Sequence, residues 1–379
     1  MVKPIYLDYN GTTPHAPEVI EAMRPYLEAE FGNPSSSHWY GIRPKQAVEK
    51  ARRQVAGLLA CDADEVVFTS GGTESNNHAI KSMGGARYER GTHIITSVIE
   101  HPAILEVCRF MEAHGFAVTY LPVDGDGLVD PADVAAAITS QTNMISIMHA
   151  NNEIGTLQPI AEIARLTAGK DILLHSDAAQ SVGKVATRVA ELGVDLLSVA
   201  GHKVYAPKGI GALYVRRGAA RKIFCHGAGQ EMGVRAGTEN VMGIVGLGQA
   251  CETARQELDR NASHMAAMRD RLEQGLASAL EDIRFNGHRR QRLPNTSSVS
   301  FKGLEANRIL EEIGLEVAAS AGAACHSDQV VVSHVLQAIG LAEDWAKGTL
   351  RFTTGRMTTA AQIDRALEVI VAAVKKLRR

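Results

Sequence analysis

The sequence predicts an α/β fold built on a mostly parallel sheet, followed by a smaller α+β unit. Short apolar runs, too brief for helices, alternate with helical stretches between about residues 65 and 215. An unbroken helical pattern then starts near Val241, and beyond it the texture changes to brief strands among helices. Alternation of this kind buries strands between layers of helices, and ligands then collect at the carboxyl ends of the strands.

The totals narrow the function classes. A chain of 379 residues with 45% hydrophobic content builds a sizeable core. A formal net charge of −2, with charges spread along the chain, leaves no electrostatic footprint for nucleic acid or an anionic membrane. Small molecules and proteins are the expected partners. The opening "MVKPIYLDYNGTTP" lacks the apolar core of a signal peptide, and no run approaches the roughly 18 apolar residues of a membrane span. A cytoplasmic protein is expected. Five cysteines without a C-x-x-C pair argue against a disulfide framework and a thiol zinc site, so no metal is expected. Cys61, Cys108 and Cys251 sit in helix-like apolar contexts, where cysteine behaves as a small hydrophobe.

Taken in order, "RPKQAVEKARRQVAGLLA" has helical spacing, "EVVFT" is a short buried strand, and "SGGTESNNHAIKSM" is a glycine turn opening a helix. The runs "THIITS", "AVTYLPV", "NMISIMHA", "DILLHSD" and "VDLLSVA" follow as strands, separated by helices such as "PAILEVCRFMEAHG" and "PIAEIARLTAG". The long helix from Val241 leads to "NTSSVSF", "ANRILEEIG" and "TLRFTTGR", and "TAAQIDRALEVIVAAVKKL" closes the chain as an amphipathic helix.

Polar residues fall where these strands end. Gly71, Gly72 and Thr73 stand at a helix start, where free backbone N–H groups attract an anion such as phosphate, although a plain tight turn uses the same residues. Asp177 lies just beyond an apolar strand with Gln180 close behind. It serves either as a helix cap or as the partner of a protonated ring nitrogen, the requirement of the pyridinium of pyridoxal phosphate. His101, between a strand and a helix, caps the helix or lies against a cofactor ring. Lys203 follows the strand "LLSVA" and Gly-His; it is either a solvated cation or an amine desolvated into a nucleophile.

The order of these motifs resembles the cysteine desulfurases, the NifS-like class of fold-type I pyridoxal phosphate enzymes, and their relatives the selenocysteine lyases. The resemblance runs from "YLDYNGTTP" and "FGNPSSSHWYG" through "FTSGGTESNN", "IEHPAIL", "HANNEIGTLQPI", "HSDAAQSVGK", "GHKVYAPKGIGALYVRRG" and "VRAGTEN" to "AGAACHSD" and "LRFTTGR". It implies a large domain (residues 15–260) with a mostly parallel seven-stranded sheet, and a small α+β domain formed by residues 1–14 and 261–379. It implies pyridoxal 5'-phosphate bound covalently to Lys203, with Asp177 on the pyridine nitrogen and His101 stacked on the ring. By the same resemblance Gln180 bonds the phenolic oxygen, Asn152 touches cofactor and substrate, and Gly72, Thr73 and His202 hold the phosphate. Arg351 receives the substrate carboxylate as a bidentate fork. Thr238 reaches the phosphate of a second subunit, which implies a homodimer.

The chain departs from the family pattern at Ala200, where many desulfurases have a phosphate-binding serine, at Ala206, where glycine is usual, and at Pro102. Ala200 and the string "ACHSD" are shared with the selenocysteine lyases, which keeps L-selenocysteine beside L-cysteine as a substrate. Another carbon–sulfur lyase or an aminotransferase is a further alternative. Cys325 lies in "EVAASAGAACHSDQVVVSH", small residues without helical or strand period, the texture of a mobile loop. There it is expected to take sulfur as a persulfide on its way to an acceptor protein or thiol, with His326 and Asp328 placed to tune the thiol.

Overall fold

The computed structural model describes residues 3–379 except 85–88, 90, 220 and 327–328; at 83–84 and 323–331 it describes the backbone alone. After a two-residue strand β1 (Ile5–Tyr6), seven strands form the central sheet. They are β2 (Val66–Thr69), β3 (His93–Ser97), β4 (Ala117–Leu121), β5 (Thr142–Ser146), β6 (Leu173–Asp177), β7 (Leu196–Ala200) and β8 (Gly211–Val215). Their order is β2-β8-β7-β6-β5-β3-β4, and every neighbouring pair is parallel except those of β8, which runs against β2 and β7. The expected strands are therefore present, and the sheet is mostly parallel.

Both faces of this sheet are covered, which explains why its strands are apolar throughout rather than alternating. Phe68, Ile95, Ile145, Leu174 and Leu197 point to one face and pack with helices Trp39–Leu59 and Val241–Ala279. Their chain neighbours Val67, Ile94, Met144, Leu173 and Leu196 point to the other, against helix Pro102–Ala113. The 39-residue helix Val241–Ala279 crosses from this core to a second one. Its first turns approach helix Trp39–Leu59 so closely that a Cβ on Gly248 would lie 2.6 Å from Ala51 Cα, while Leu272 and Leu276 belong to the second core.

That second core is built on β9 (Ile283–Asn286), β10 (Thr296–Phe301), β11 (Val317–Ala318), β12 (Ser320–Ala321) and β15 (Thr349–Thr353). An antiparallel sheet runs β12-β15-β10-β9, and β1 pairs in parallel with β11. Val299, Phe301, Leu350 and Phe352 pack there against Ile363 and Ile370 of the closing helix Ala360–Leu377, and Leu7 joins them from the start of the chain.

Two expectations need correction. Cys61 is not inside a helix: the helix ends at Leu59, Ala60 takes a left-handed φ of 54°, and Cys61 follows it half-buried. Cys108 and Cys251 are helical and fully buried, as expected. The segment around Cys325 is a hairpin, β13 (Ala323–His326) paired antiparallel with β14 (Gln329–Val332), Cys325 opposite Val330. Small residues hide the strand period there. No described helix is long and apolar enough to cross a membrane.

Candidate active site

The strands of the parallel set deliver the polar residues to one edge of the sheet. β6 ends at Asp177, β7 ends at Ala200 just before the tight turn Gly201–Lys203, and β2 ends just before helix Gly72–Asn77. β3 and β5 lead to His101 and Asn152. A cavity of about 410 Å³ gathers Gly72, Thr73, His101, Asn152, Asp177, Gln180, His202, Lys203 and Arg351, a volume suited to a small ligand. Thr238 is exposed and outside this lining. The side chains of Cys325 and His326, and all of Asp328, lie outside the described residues.

Lys203 Nζ donates to the carbonyl oxygens of Asn10 (2.6 Å) and Gly11 (2.7 Å), and among the described residues no carboxylate pairs with it. Burial, then the positive charge of Arg351, lowers its pKa to about 8 against the opposing pull of Asp8 and Asp177. Near neutral pH a useful fraction of this amine is therefore unprotonated, as a nucleophile or base requires.

Asp177, 6% exposed, accepts from Asn76 Nδ2 (2.7 Å) on one oxygen and from the Ala179 amide (2.9 Å) on the other. Both bonds fix the carboxyl plane at the end of its strand. His101 occupies the N-cap of helix Pro102–Ala113, and its Nδ1 accepts from the Ala103 amide at 3.1 Å. That contact assigns the proton of the neutral ring to Nε2. His101 is exposed at the rim of the cavity, and partial desolvation there, opposed by Asp177, keeps its pKa below the usual value, so the ring is uncharged at neutral pH. His202 is pushed down to about 4, by burial and then Lys203, and its Nδ1 lies 3.1 Å from Thr12 Oγ1.

Arg351 spreads its fork over several partners: Nη2 donates to Asp8 Oδ1 (2.7 Å) and Ser320 Oγ (3.1 Å), and Nη1 to the Asn152 carbonyl (3.0 Å). Its buried Nε has no partner among the described residues. The Asp8 pair is the structure's arrangement for a guanidinium expected to meet a substrate carboxylate.

Four neighbours of the candidate site were not singled out from the sequence. Asp8 and Asn10 come from the opening segment, Asn76 from the helix behind the glycine turn, and Lys184 from the turn after Gln180. Only the last left a trace, its spacing of four residues from Gln180.

Residues 5–366 match the family model described as Aminotransferase class-V, and the chain belongs to that family. Its architecture is that of the fold-type I enzymes within it. Among similar proteins, a cysteine desulfurase IscS of Dictyoglomus turgidum is 47% identical over 379 residues, covering 100% of this chain and 96% of its own. A human cysteine desulfurase is 43% identical over 381 residues, covering 100% of this chain and 83% of its own. A solved NifS-like protein superposes with a TM-score of 0.93 at 36% identity, covering 99% of this chain and 100% of its own. A structure described as SspA in complex with cysteine gives 0.81 at 38% identity, covering 93% and 99%.

Proposed function

We propose that this chain is a pyridoxal 5'-phosphate-dependent cysteine desulfurase that converts L-cysteine to L-alanine and takes the sulfur onto Cys325 as a persulfide. The observation that carries the reading is the desolvated amine of Lys203, beside Asp177 and His101 in one strand-end cavity. Full-length similarity to proteins named cysteine desulfurase supports it.

The residues present fit the cofactor. Gly72 leaves a cradle that a Cβ would fill, since it would come within 3.2 Å of Ala200 Cβ and 3.8 Å of Ala179 Cβ. Thr73 and His202 line the same cavity as phosphate partners, and Asp177 suits a protonated ring nitrogen. When bound, the cofactor supplies an aldehyde that bonds amines and a ring that accepts the electron pair left at the substrate Cα.

The chain's own residues do the rest. Lys203, released from the Asn10 and Gly11 carbonyls, holds or removes the Cα proton. Asp177 keeps the ring nitrogen protonated and so strengthens its electron demand. Neutral His101 would lie against the ring, and Arg351 would exchange Asp8 for the substrate carboxylate. The Cys325 thiolate attacks the substrate sulfur; a sulfur–sulfur bond forms, the carbon–sulfur bond breaks, and the released pair stays with the carbon that a proton then completes to alanine. The persulfide passes to an acceptor protein or thiol. Thr238, exposed on its own chain, serves the phosphate of a second copy in a homodimer. The selenocysteine-lyase alternative suggested by Ala200 and "ACHSD" is not favoured, because the full-length relatives are named for cysteine.

Borohydride reduction of the yellow protein should fix the cofactor to the Lys203 peptide, and labelling of another lysine would overturn that role. Cys325→Ala should keep the cofactor spectrum and lose nearly all alanine production from cysteine. Equal rates from wild type and variant would make Cys325 incidental and replace the desulfurase with another carbon–sulfur lyase.

A further inference from the structure

We propose that Lys184 is a positioning residue that locks the amide of Gln180 so that it can only donate toward the ring oxygen of the cofactor; this rests on the cofactor assignment above. Lys184 is 4% exposed, and its Nζ donates to Gln180 Oε1 (2.9 Å) and Asn10 Oδ1 (3.1 Å). Both acceptors are neutral, and no described carboxylate pairs with it. A buried amine without a counter-charge is among the least favourable placements for a lysine, so the position calls for a role beyond packing.

Backbone geometry puts it there. After β6 the chain turns tightly, with the Lys184 amide donating to the Ser181 carbonyl (3.0 Å) and Gly183 at φ +75°. A Cβ on Gly183 would lie 2.6 Å from Val204 Cγ2, so only glycine fits the turn that folds Lys184 back under Gln180.

The orientation of the Gln180 amide follows from its two fixed neighbours. Its Nε2 donates to the Asn10 carbonyl (3.0 Å), an atom that only accepts, and its Oε1 faces the Lys184 amine, which donates. Asn10 Oδ1 is likewise settled as an acceptor, because Asn295 Nδ2 also donates to it at 3.0 Å. One Gln180 N–H then remains, on a side chain that lines the cavity. A donor aimed at the ring oxygen favours its ionised form, and the Lys184-to-Gln180 bond polarises the amide and strengthens that donor. Burial, and then the charges of Lys203 and Arg351 that face it, depresses the pKa of Lys184 itself.

The test is a pH titration of the visible absorption of the cofactor-loaded protein. Lys184→Met should raise the midpoint by up to about one pH unit, the size of one lost hydrogen bond. Gln180→Leu should shift it in the same direction, and the double variant should go no further than the larger single shift, because Lys184 acts through Gln180. An unmoved midpoint in Lys184→Met, or additive shifts, would overturn the proposal. Should Lys184→Met fail to fold, a crystal structure of the loaded wild type decides: Gln180 Nε2 within about 3.2 Å of the ring oxygen with Lys184 still on Oε1 supports it. A Lys184 turned away from Gln180 overturns it. Wild type that takes up no cofactor and shows no visible band overturns the cofactor assignment, and this proposal with it.

Discussion

The two edges of the central sheet make opposite uses of charge. At the amino ends of β6 and β7 lies a larger cavity, about 710 Å³, lined by Cys61, Glu65, Arg165, Lys170, Asp195 and Arg216. Asp195 there is fully engaged, accepting from Arg216 Nε (2.6 Å) and from the Leu174 amide (2.8 Å), and the Arg216 side chain is 56% exposed. The Cys61 thiol is pushed up to about 12 by burial and by Glu65, Asp62 and Asp64, which makes it inert. The smaller cavity at the carboxyl ends instead holds a lysine resting on carbonyl oxygens, a neutral imidazole and an arginine whose Nε has no partner among the described residues. Volume therefore does not mark the site. Desolvated groups with uncommitted hydrogen-bonding capacity do, and the strand direction decides which edge receives them.

Asp177→Asn should hit the carboxyl edge hardest, lowering turnover on the order of 10²–10³-fold while the protein still folds, as steady-state alanine production would show. Retained full turnover would remove the electrostatic distinction between the edges. A second difference is in stability. Because the folded pKa of Lys203 is about 8, the folded apoprotein binds fewer protons than the unfolded chain from there up to the ordinary lysine value. The penalty of the buried ammonium is thus full below that window and is relieved as pH rises through it. The melting midpoint of apo Lys203→Met minus that of wild type should fall by a few degrees between about pH 7 and about pH 10, and a flat or rising difference would contradict the assigned desolvation. At the amino edge, Arg216→Ala should leave turnover unchanged and change unfolding free energy by about 1 kcal/mol or less in a urea titration, since the pair is half in solvent.

Much of this was legible in the chain because buried parallel strands print themselves as apolar runs, and a polar residue directly after each run sits at the cleft. Asp177, His101 and Lys203 are found that way. Asp8 and Asn10 are not, since their partners Arg351 and Thr353 stand 343 positions away and no local pattern carries such a contact. Lys184 left only its spacing from Gln180, because a lysine in a turn is ordinarily solvated and its burial is visible only in the structure. The hairpin around Cys325 was missed because alanine and glycine give no alternation for a strand to be seen by.

The opening segment has a consequence for how the molecule is made. Asp8 bridges to Thr353, Ile5 pairs with Val317, and Asn10 supplies the carbonyl under Lys203. Because Asp8 precedes its partner Arg351 by 343 positions, the cavity can be completed only after β15 has been synthesised. The seven strands of the central sheet all precede β15, so a chain extended only that far lacks Arg351 at the cavity, and a completed cavity reports that the second core has joined the first.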